Sequence, residues 1–269
     1  MNFKDQSVVV MPAAHRPDFA YLALEQLSRA KNCPHVLLFV DDVSEKLQRE
    51  FEDVWYQFVP WKVSLTFRQP HTKVTSGCWN ILNSILDGYN TGAEYVFLVE
   101  EDVLVMPDFF ERHWEEMDKG AVVSCGRFCR LFGPRYPTIY TNPGSCLSRT
   151  FLEELVPHIN DEFFRDTGGY MDRLQVPPVP GIHGLDDGLI RRVMWLNCWH
   201  PVQPPIDKPL CAHIGCQAVE NRYSFVGLNV DAPVLERAEQ IRNFLKTIDR
   251  QGQHAKYVRD LDPFPADLL

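Results

Sequence analysis

The feature that most restricts the fold is an alternation, through the N-terminal half, of short wholly apolar runs with amphipathic stripes. Residues 7–11 (SVVVM) form a continuous apolar run, the mark of a strand covered on both faces. Pro17 suits the first turn of a helix, and Tyr21, Leu24 and Leu27 follow at helical spacing. Residues 35–40 repeat the strand signal and end in Asp41 and Asp42. Leu47, Phe51, Val54, Trp55 and Phe58 then share one helical face. A strand over 63–67 precedes a helix striped by Ile81, Leu82, Ile85, Leu86 and Tyr89, and a fourth strand is read over 95–99. A βαβαβαβ order of this kind predicts a mostly parallel central sheet flanked by helices, an α/β fold.

Past Asp118 the pattern becomes irregular and richer in Gly and Pro. A helix is predicted near Thr150, where Thr150 and Glu153 have capping-box spacing. Another is predicted after Asp186, and a long amphipathic one from Pro233. The chain therefore reads as one domain in two halves, a nucleotide-binding half over 1–118 and a more irregular acceptor-binding half over 119–269. At 269 residues, 45% of them hydrophobic, it has material for a substantial core. The net charge of -9 excludes a surface devoted as a whole to nucleic acid. No run approaches the roughly 18 apolar residues of a membrane span, so no membrane partner and a cytoplasmic location are expected. The eight cysteines read as reduced core or site residues, and their spacings do not match a zinc ribbon.

The fourth strand runs directly into Glu100, Glu101 and Asp102. Three adjacent carboxylates at the tip of a buried strand repel one another unless a cation lies among them. Ligands of open α/β sheets bind at the carboxyl ends of strands, which favours a site for Mn²⁺ or Mg²⁺ and a diphosphate. The competing reading is a solvated turn capping the helix that starts near Pro107.

The segment VFLVEEDVLVMPDFFERHWEEM resembles the Glu-Asp-Asp region of the N-acetylglucosaminyltransferase I family, inverting glycosyltransferases of the GT-A (Rossmann-like) fold. Glu101 stands where that family has an aspartate. The resemblance implies a metal-dependent enzyme using a nucleotide-sugar donor, UDP-linked, with Asp102 as metal ligand and Glu100 and Glu101 facing the nucleotide. In VVVMPAAHRP it places Arg16 at the nucleotide, and in LLFVDDVS it makes Asp42 the acid that accepts a hydrogen bond from uracil. In QPHTKVTSGCWNIL it makes His71 a nucleotide contact, with Lys73 near phosphate. IYTNPGSCLSRTFLEEL resembles the acceptor wall, with Gly144 allowing close backbone approach to sugar. In HGLDDGLIRRVMW the resemblance implies a catalytic base at a helix start, Asp186, with Asp187 in reserve. His213 in PLCAHIGCQ is implied as a late metal or diphosphate ligand. Each position also has a plainer reading: Arg16 and Lys73 as solvated surface cations, Asp42 and Asp186 as helix caps, and His213 as a satisfied core histidine.

The Golgi members carry an anchor and stem, so a bacterial or viral enzyme is expected here. Lys119, Arg127, Arg130, Arg135 and Arg149 interleave with Phe128, Phe132, Tyr136 and Tyr140, with no acid between Lys119 and Thr150. Basic and aromatic residues so mixed can track phosphates and stack bases, which raises a hydroxymethylated base in DNA as acceptor beside a glycan or protein. Pairing of the arginines with the many acids is the simpler alternative. Two other classes stay open. A nucleotidyltransferase would carry a glycine-rich phosphate loop that MPAAHRP lacks, and an inactive nucleotide-sugar binder would show binding without transfer. Oligomeric state is not readable.

Overall fold

The computed structural model describes residues 3–69, 76–127, 140–174, 185–205 and 208–213. Four strands, β1 (Ser7–Ala13), β2 (His35–Val40), β3 (Val63–Phe67) and β4 (Tyr95–Leu98), lie parallel. They alternate with α1 (Pro17–Arg29), α2 (Glu45–Phe58) and α3 (Ser76–Asn90), as the apolar periodicity predicts. After β4 come a short strand β5 (Val103–Val105), α4 (Phe109–Asp118), and β6 (Val123–Ser124) and β7 (Ser145–Ser148). The six-stranded sheet runs β3-β2-β1-β4-β7-β6, with β7 antiparallel to both neighbours. The second half of the chain thus completes the sheet begun by the first. It also supplies α5 (Arg149–Leu155), α6 (Asp161–Arg165), α7 (Thr167–Arg173), α8 (Leu185–Leu196) and β8 (Cys211–His213). β8 pairs antiparallel with β5 in a separate two-stranded sheet.

Burial explains why these segments take these shapes. Val9, Val10 and Met11 of β1 are fully enclosed because helices cover both sheet faces, so the strand has no polar alternation. Two apolar layers result. One packs Tyr21, Leu24, Phe51 and Val54 of α1 and α2 beneath the sheet. The other packs Leu82 and Ile85 of α3 with Phe151, Leu189 and Ile190 of α5 and α8. Pro17 opens α1 as read from sequence. The predicted capping box does not form: Ser148 caps α5 by accepting from the Phe151 N–H at 3.3 Å, so Thr150 lies inside the helix. Ser148 is the last residue of β7, and its extended backbone brings the hydroxyl over the open end of α5, which Thr150 cannot reach. The position read for the helix from Pro233 lies outside the described residues. All six described cysteines are unpaired, and no described helix is long and apolar enough to cross a membrane.

Behind β4, Phe97 sits in an aromatic cluster with Phe109, Phe110, His113 and Trp114 of α4. His113 is wholly enclosed, its Nδ1 is 2.8 Å from the Ser124 Oγ, and burial pushes its pKa down to about 3. Below about pH 6.5 the unfolded chain takes up a proton that folded His113 refuses, so acidification removes stability. Replacing His113 with Gln is expected to flatten the fall of unfolding free energy between pH 6 and 4 by up to about 1.4 kcal/mol per pH unit, read by urea titration.

Candidate active site

The strand order reverses at β1: the chain moves outward through β2 and β3, then returns to place β4 on the other side. The carboxyl ends of β1 and β4 therefore border the crevice in which open α/β sheets bind ligands. Arg16 follows β1, and Glu100, Glu101 and Asp102 follow β4. Main-chain bonds carry this pairing to the edge, with the Val99 N–H on Val10 O at 3.0 Å and the Glu101 N–H on Pro12 O at 3.3 Å.

Glu101 and Asp102 are 6% and 3% exposed, so their charges need an internal partner. Arg16 provides it. One guanidinium nitrogen, Nη2, lies 2.8 Å from Glu101 Oε1 and 2.8 Å from Asp102 Oδ2, and Nε adds a bond to Glu101 at 3.1 Å. Burial works against the charge of Arg16, but the two carboxylates outweigh it and hold the guanidinium protonated. Burial first, then Asp102, pushes the Glu101 carboxyl up against the pull of Arg16. The acids do not cap α4, because β5 intervenes and Asp108 is the N-cap residue.

Two carboxylate oxygens converging on one cationic atom is also the donor chemistry of a hard divalent ion. Such ions are commonly held by one or two carboxylates plus substrate phosphates. Among the described residues no group of three or more His, Cys, Asp or Glu is arranged to hold a metal. Glu101 Oε1 and Asp102 Oδ2 are the oxygens that would face an ion shared with a diphosphate, and both are held by Arg16. β8 bears on this, since Val103 pairs with His213 and the main chain of His213 thereby runs beside Asp102.

Arg16→Ala would leave both buried carboxylates without their ion pair. Loss of one partner of a buried pair costs about 3–5 kcal/mol, and the partial exposure of Arg16 puts this site toward or below the lower figure. The variant is expected to melt at lower temperature than the wild type without metal, and to regain more stability than the wild type when Mn²⁺ is added. Differential scanning fluorimetry with and without Mn²⁺ checks both.

Asp41 and Asp42 follow β2 on the same edge. Asp41 is buried, and its Oδ1 accepts the Asp42 N–H at 2.9 Å. Asp42 is exposed, and Ser44 rather than Asp42 caps α2. His71 and Lys73 lie outside the described residues. Gly144 has φ +64°, and a Cβ there would meet Cys211 Sγ at 2.6 Å and the Phe109 ring at 3.2 Å. Its close approach is to β8 of its own chain, which corrects the reading of an open face toward sugar. In the basic stretch Lys119 pairs with Glu116 and Arg149 with Glu153, while Tyr140 is buried with its hydroxyl 3.0 Å from Ser145 Oγ. Tyr140 is therefore no stacking platform. Residues 128–139, including Arg130 and Arg135, lie outside the described residues.

The two acids at the head of α8 have different surroundings. Asp186 is buried, and burial pushes its carboxyl up while its own N–H, the Asn142 amide and the Asp187 N–H oppose the shift. Asn142 Nδ2 donates to Asp186 Oδ2. Asp187 is half-buried and lies 3.6 Å from the Arg191 guanidinium. Ser145 pairs with Leu98, so residues 142–144 run past the carboxyl end of β4 and put Asn142 on the edge that carries the acidic triplet.

Sequence reading missed Asn142, Arg191, Asn80 and Arg68. Asn80, on the inward face of α3, donates to Ala13 O at 3.0 Å and Phe39 O at 3.1 Å, tying that helix to β1 and β2. Arg68, just past β3, bonds Asp87 at 2.6 Å and lies 4.3 Å over the Phe39 ring. An asparagine inside an apolar helical stripe was the available signal for Asn80. Arg191 stands four residues after Asp187, a helical ion-pair spacing.

No family profile and no curated protein matches the chain. Solved structures do. The mannosyltransferase PcManGT from Pyrobaculum calidifontis, in complex with GDP-Man and Mn²⁺, matches with a TM-score of 0.53 and 14% identity, over 97% of this chain and 66% of that one. This chain thus spans about two thirds of that mannosyltransferase's length. The galactosyltransferase LgtC, in complex with donor and acceptor sugar analogues, matches with a TM-score of 0.54 and 12% identity, over 91% of this chain and 98% of that one. At these identities the likeness establishes the fold: a mostly parallel α/β sheet of the GT-A, Rossmann-like kind.

Proposed function

We propose that this chain is a metal-assisted, inverting glycosyltransferase of the N-acetylglucosaminyltransferase I type, moving a sugar from a UDP-sugar to an acceptor hydroxyl. One observation carries the reading. The carboxylate pair Glu101 and Asp102 holds a cation at the crevice of a GT-A fold, while a second, separately held carboxylate, Asp186, is buried at the head of α8. The two solved structures above, one bound to GDP-Man and Mn²⁺ and the other to donor and acceptor sugar analogues, support the substrate class.

In this reading Asp102 and His213 from β8 hold the ion, and Glu101 beside them faces the nucleotide. Arg16 and Asp42 face the nucleotide with His71 and Glu100. Bound there, a divalent ion supplies Lewis-acid stabilisation of the charge on the departing diphosphate. Asp186 takes the proton of the acceptor hydroxyl. The oxygen's electron pair forms a bond to the anomeric carbon as the bond from that carbon to the diphosphate oxygen breaks, and the breaking pair leaves with the nucleoside diphosphate. Attack opposite the leaving group inverts the anomeric centre. Asp187, which lies 3.6 Å from Arg191, is the reserve candidate for this role.

The acceptor is proposed to be a glycan or protein hydroxyl. Of the basic stretch that raised a DNA acceptor, Lys119 and Arg149 pair with acids and Tyr140 is buried, while Arg130 and Arg135 lie outside the described residues, so a hydroxymethylated base in DNA stays as the second candidate. Labelled UDP-sugar with Mn²⁺, offered to oligosaccharides, proteins and hydroxymethylated DNA, tests the proposal. An α-linked donor yields a β-linked product under this mechanism, a retained anomer contradicts it, and label confined to DNA selects the second candidate.

A further inference from the structure

The segment before β7 is pinned at several points. Arg191 of α8 donates from Nε and Nη2 to the Tyr140 carbonyl at 3.1 and 2.6 Å. The Tyr140 hydroxyl meets Ser145 Oγ, and the Cys211 thiol donates to Pro143 O at 3.4 Å. Between these ties sits Asn142, itself buried, whose amide donates to Asp186 Oδ2 and whose Oδ1 has no hydrogen-bond partner among the described residues. The side chain is thus held by its contact with Asp186, on a strap that α8 itself fastens.

We propose that Asn142 is a positioning residue, fixing the Asp186 carboxylate in one orientation and favouring its charged form, with Arg191 locking the strap to the helix that carries Asp186. The inference rests on the reading of Asp186 as base. An N–H donated to a carboxylate stabilises the ionised form, so Asn142 opposes the burial that raises Asp186. The groups facing Asp186 among the described residues are Asp187 and Arg191 on its own helix, the buried Cys78 thiol of α3, and the buried Tyr140 phenol. Neither the thiol nor the phenol carries charge near neutral pH, since burial raises both. Arg191 lies against Asp187 and the Tyr140 carbonyl, which leaves Asn142 as the side chain that donates directly to Asp186.

The test is a ¹³C-carboxyl NMR titration of aspartate-labelled protein, with the Asp186 signal assigned by its loss in Asp186→Asn. In Asn142→Ala the Asp186 midpoint is expected to rise by about one pH unit, a tenfold tighter hold on the proton. Asn142→Leu, close in volume and without a donor, is expected to give the same rise and serves if the alanine variant folds poorly. The acidic limb of kcat/KM for UDP-sugar transfer should move with the midpoint. A merely structural residue would lower the melting temperature and leave the midpoint in place. An unmoved midpoint in a folded variant overturns the proposal and leaves the base reading standing. Full transfer by Asp186→Asn overturns both.

Discussion

Asp186→Asn is expected to slow sugar transfer by about a hundredfold to ten-thousandfold, the usual contribution of a positioned general base, while donor binding persists. The substitution keeps the volume of a buried side chain and an oxygen that Asn142 can still bond, so the packing around α8 has little reason to change. It removes the group that can accept a proton from the acceptor hydroxyl. The effect should therefore fall on kcat, and nucleotide affinity measured by calorimetry should stay within a few-fold of wild type. Steady-state transfer with Mn²⁺ present, set beside UDP binding by the same preparations, separates these outcomes. Weakened UDP binding together with lost transfer would instead place Asp186 in the donor pocket.

Asp102→Asn is expected to act on the other side of the reaction. Asp102 shares the Arg16 guanidinium with Glu101 and is the more deeply buried of the two, which makes it the anchor of the cation position. In the wild type, UDP at about one hundred times its Kd with Mn²⁺ should stabilise the fold by about 2.7 kcal/mol, roughly 5–10 °C in melting temperature. In Asp102→Asn the metal-dependent part of that shift should disappear, with UDP affinity in Mn²⁺ falling at least about tenfold. Arg16 keeps Glu101 as partner, so the variant should remain folded. A metal-dependent shift of wild-type size in this variant would move the ligand role elsewhere.

The parts of the fold that could be read from sequence are those where burial dictates composition. A strand covered on both faces must be apolar throughout, so 7–11 and 35–40 were recognisable as they stand in β1 and β2, whereas 63–67 forms the sheet's edge strand β3, in which only Val63 is buried. The acidic triplet was legible for the opposite reason, because three charges at a strand tip are costly without a cation. What could not be read was which cation the protein supplies. Arg16 and Asp102 are far apart in the chain and meet only because β1 and β4 become neighbours in the sheet. Asn142 was hidden in the same way: a TNPG turn looks like surface until β7 pairs antiparallel with β4 and carries it to the sheet's edge. Gly144 was legible as a special backbone position, but its partner, Cys211, lies on a strand whose place follows from the pairing of β5 with β8. Ser148 displaced Thr150 as a cap because strand β7 runs directly into α5, leaving no turn between them.

The most direct test of the account is the release of nucleoside diphosphate from a panel of UDP- and GDP-sugars by wild type, Asp102→Asn and Asp186→Asn, with Mn²⁺ and with chelator. Wild type with Mn²⁺ is expected to cleave at least one UDP-sugar, chelator or Asp102→Asn to abolish both cleavage and metal-dependent binding, and Asp186→Asn to bind the donor without turning it over. Binding and cleavage of no nucleotide sugar by the wild type, or cleavage indifferent to metal and to both substitutions, would contradict it.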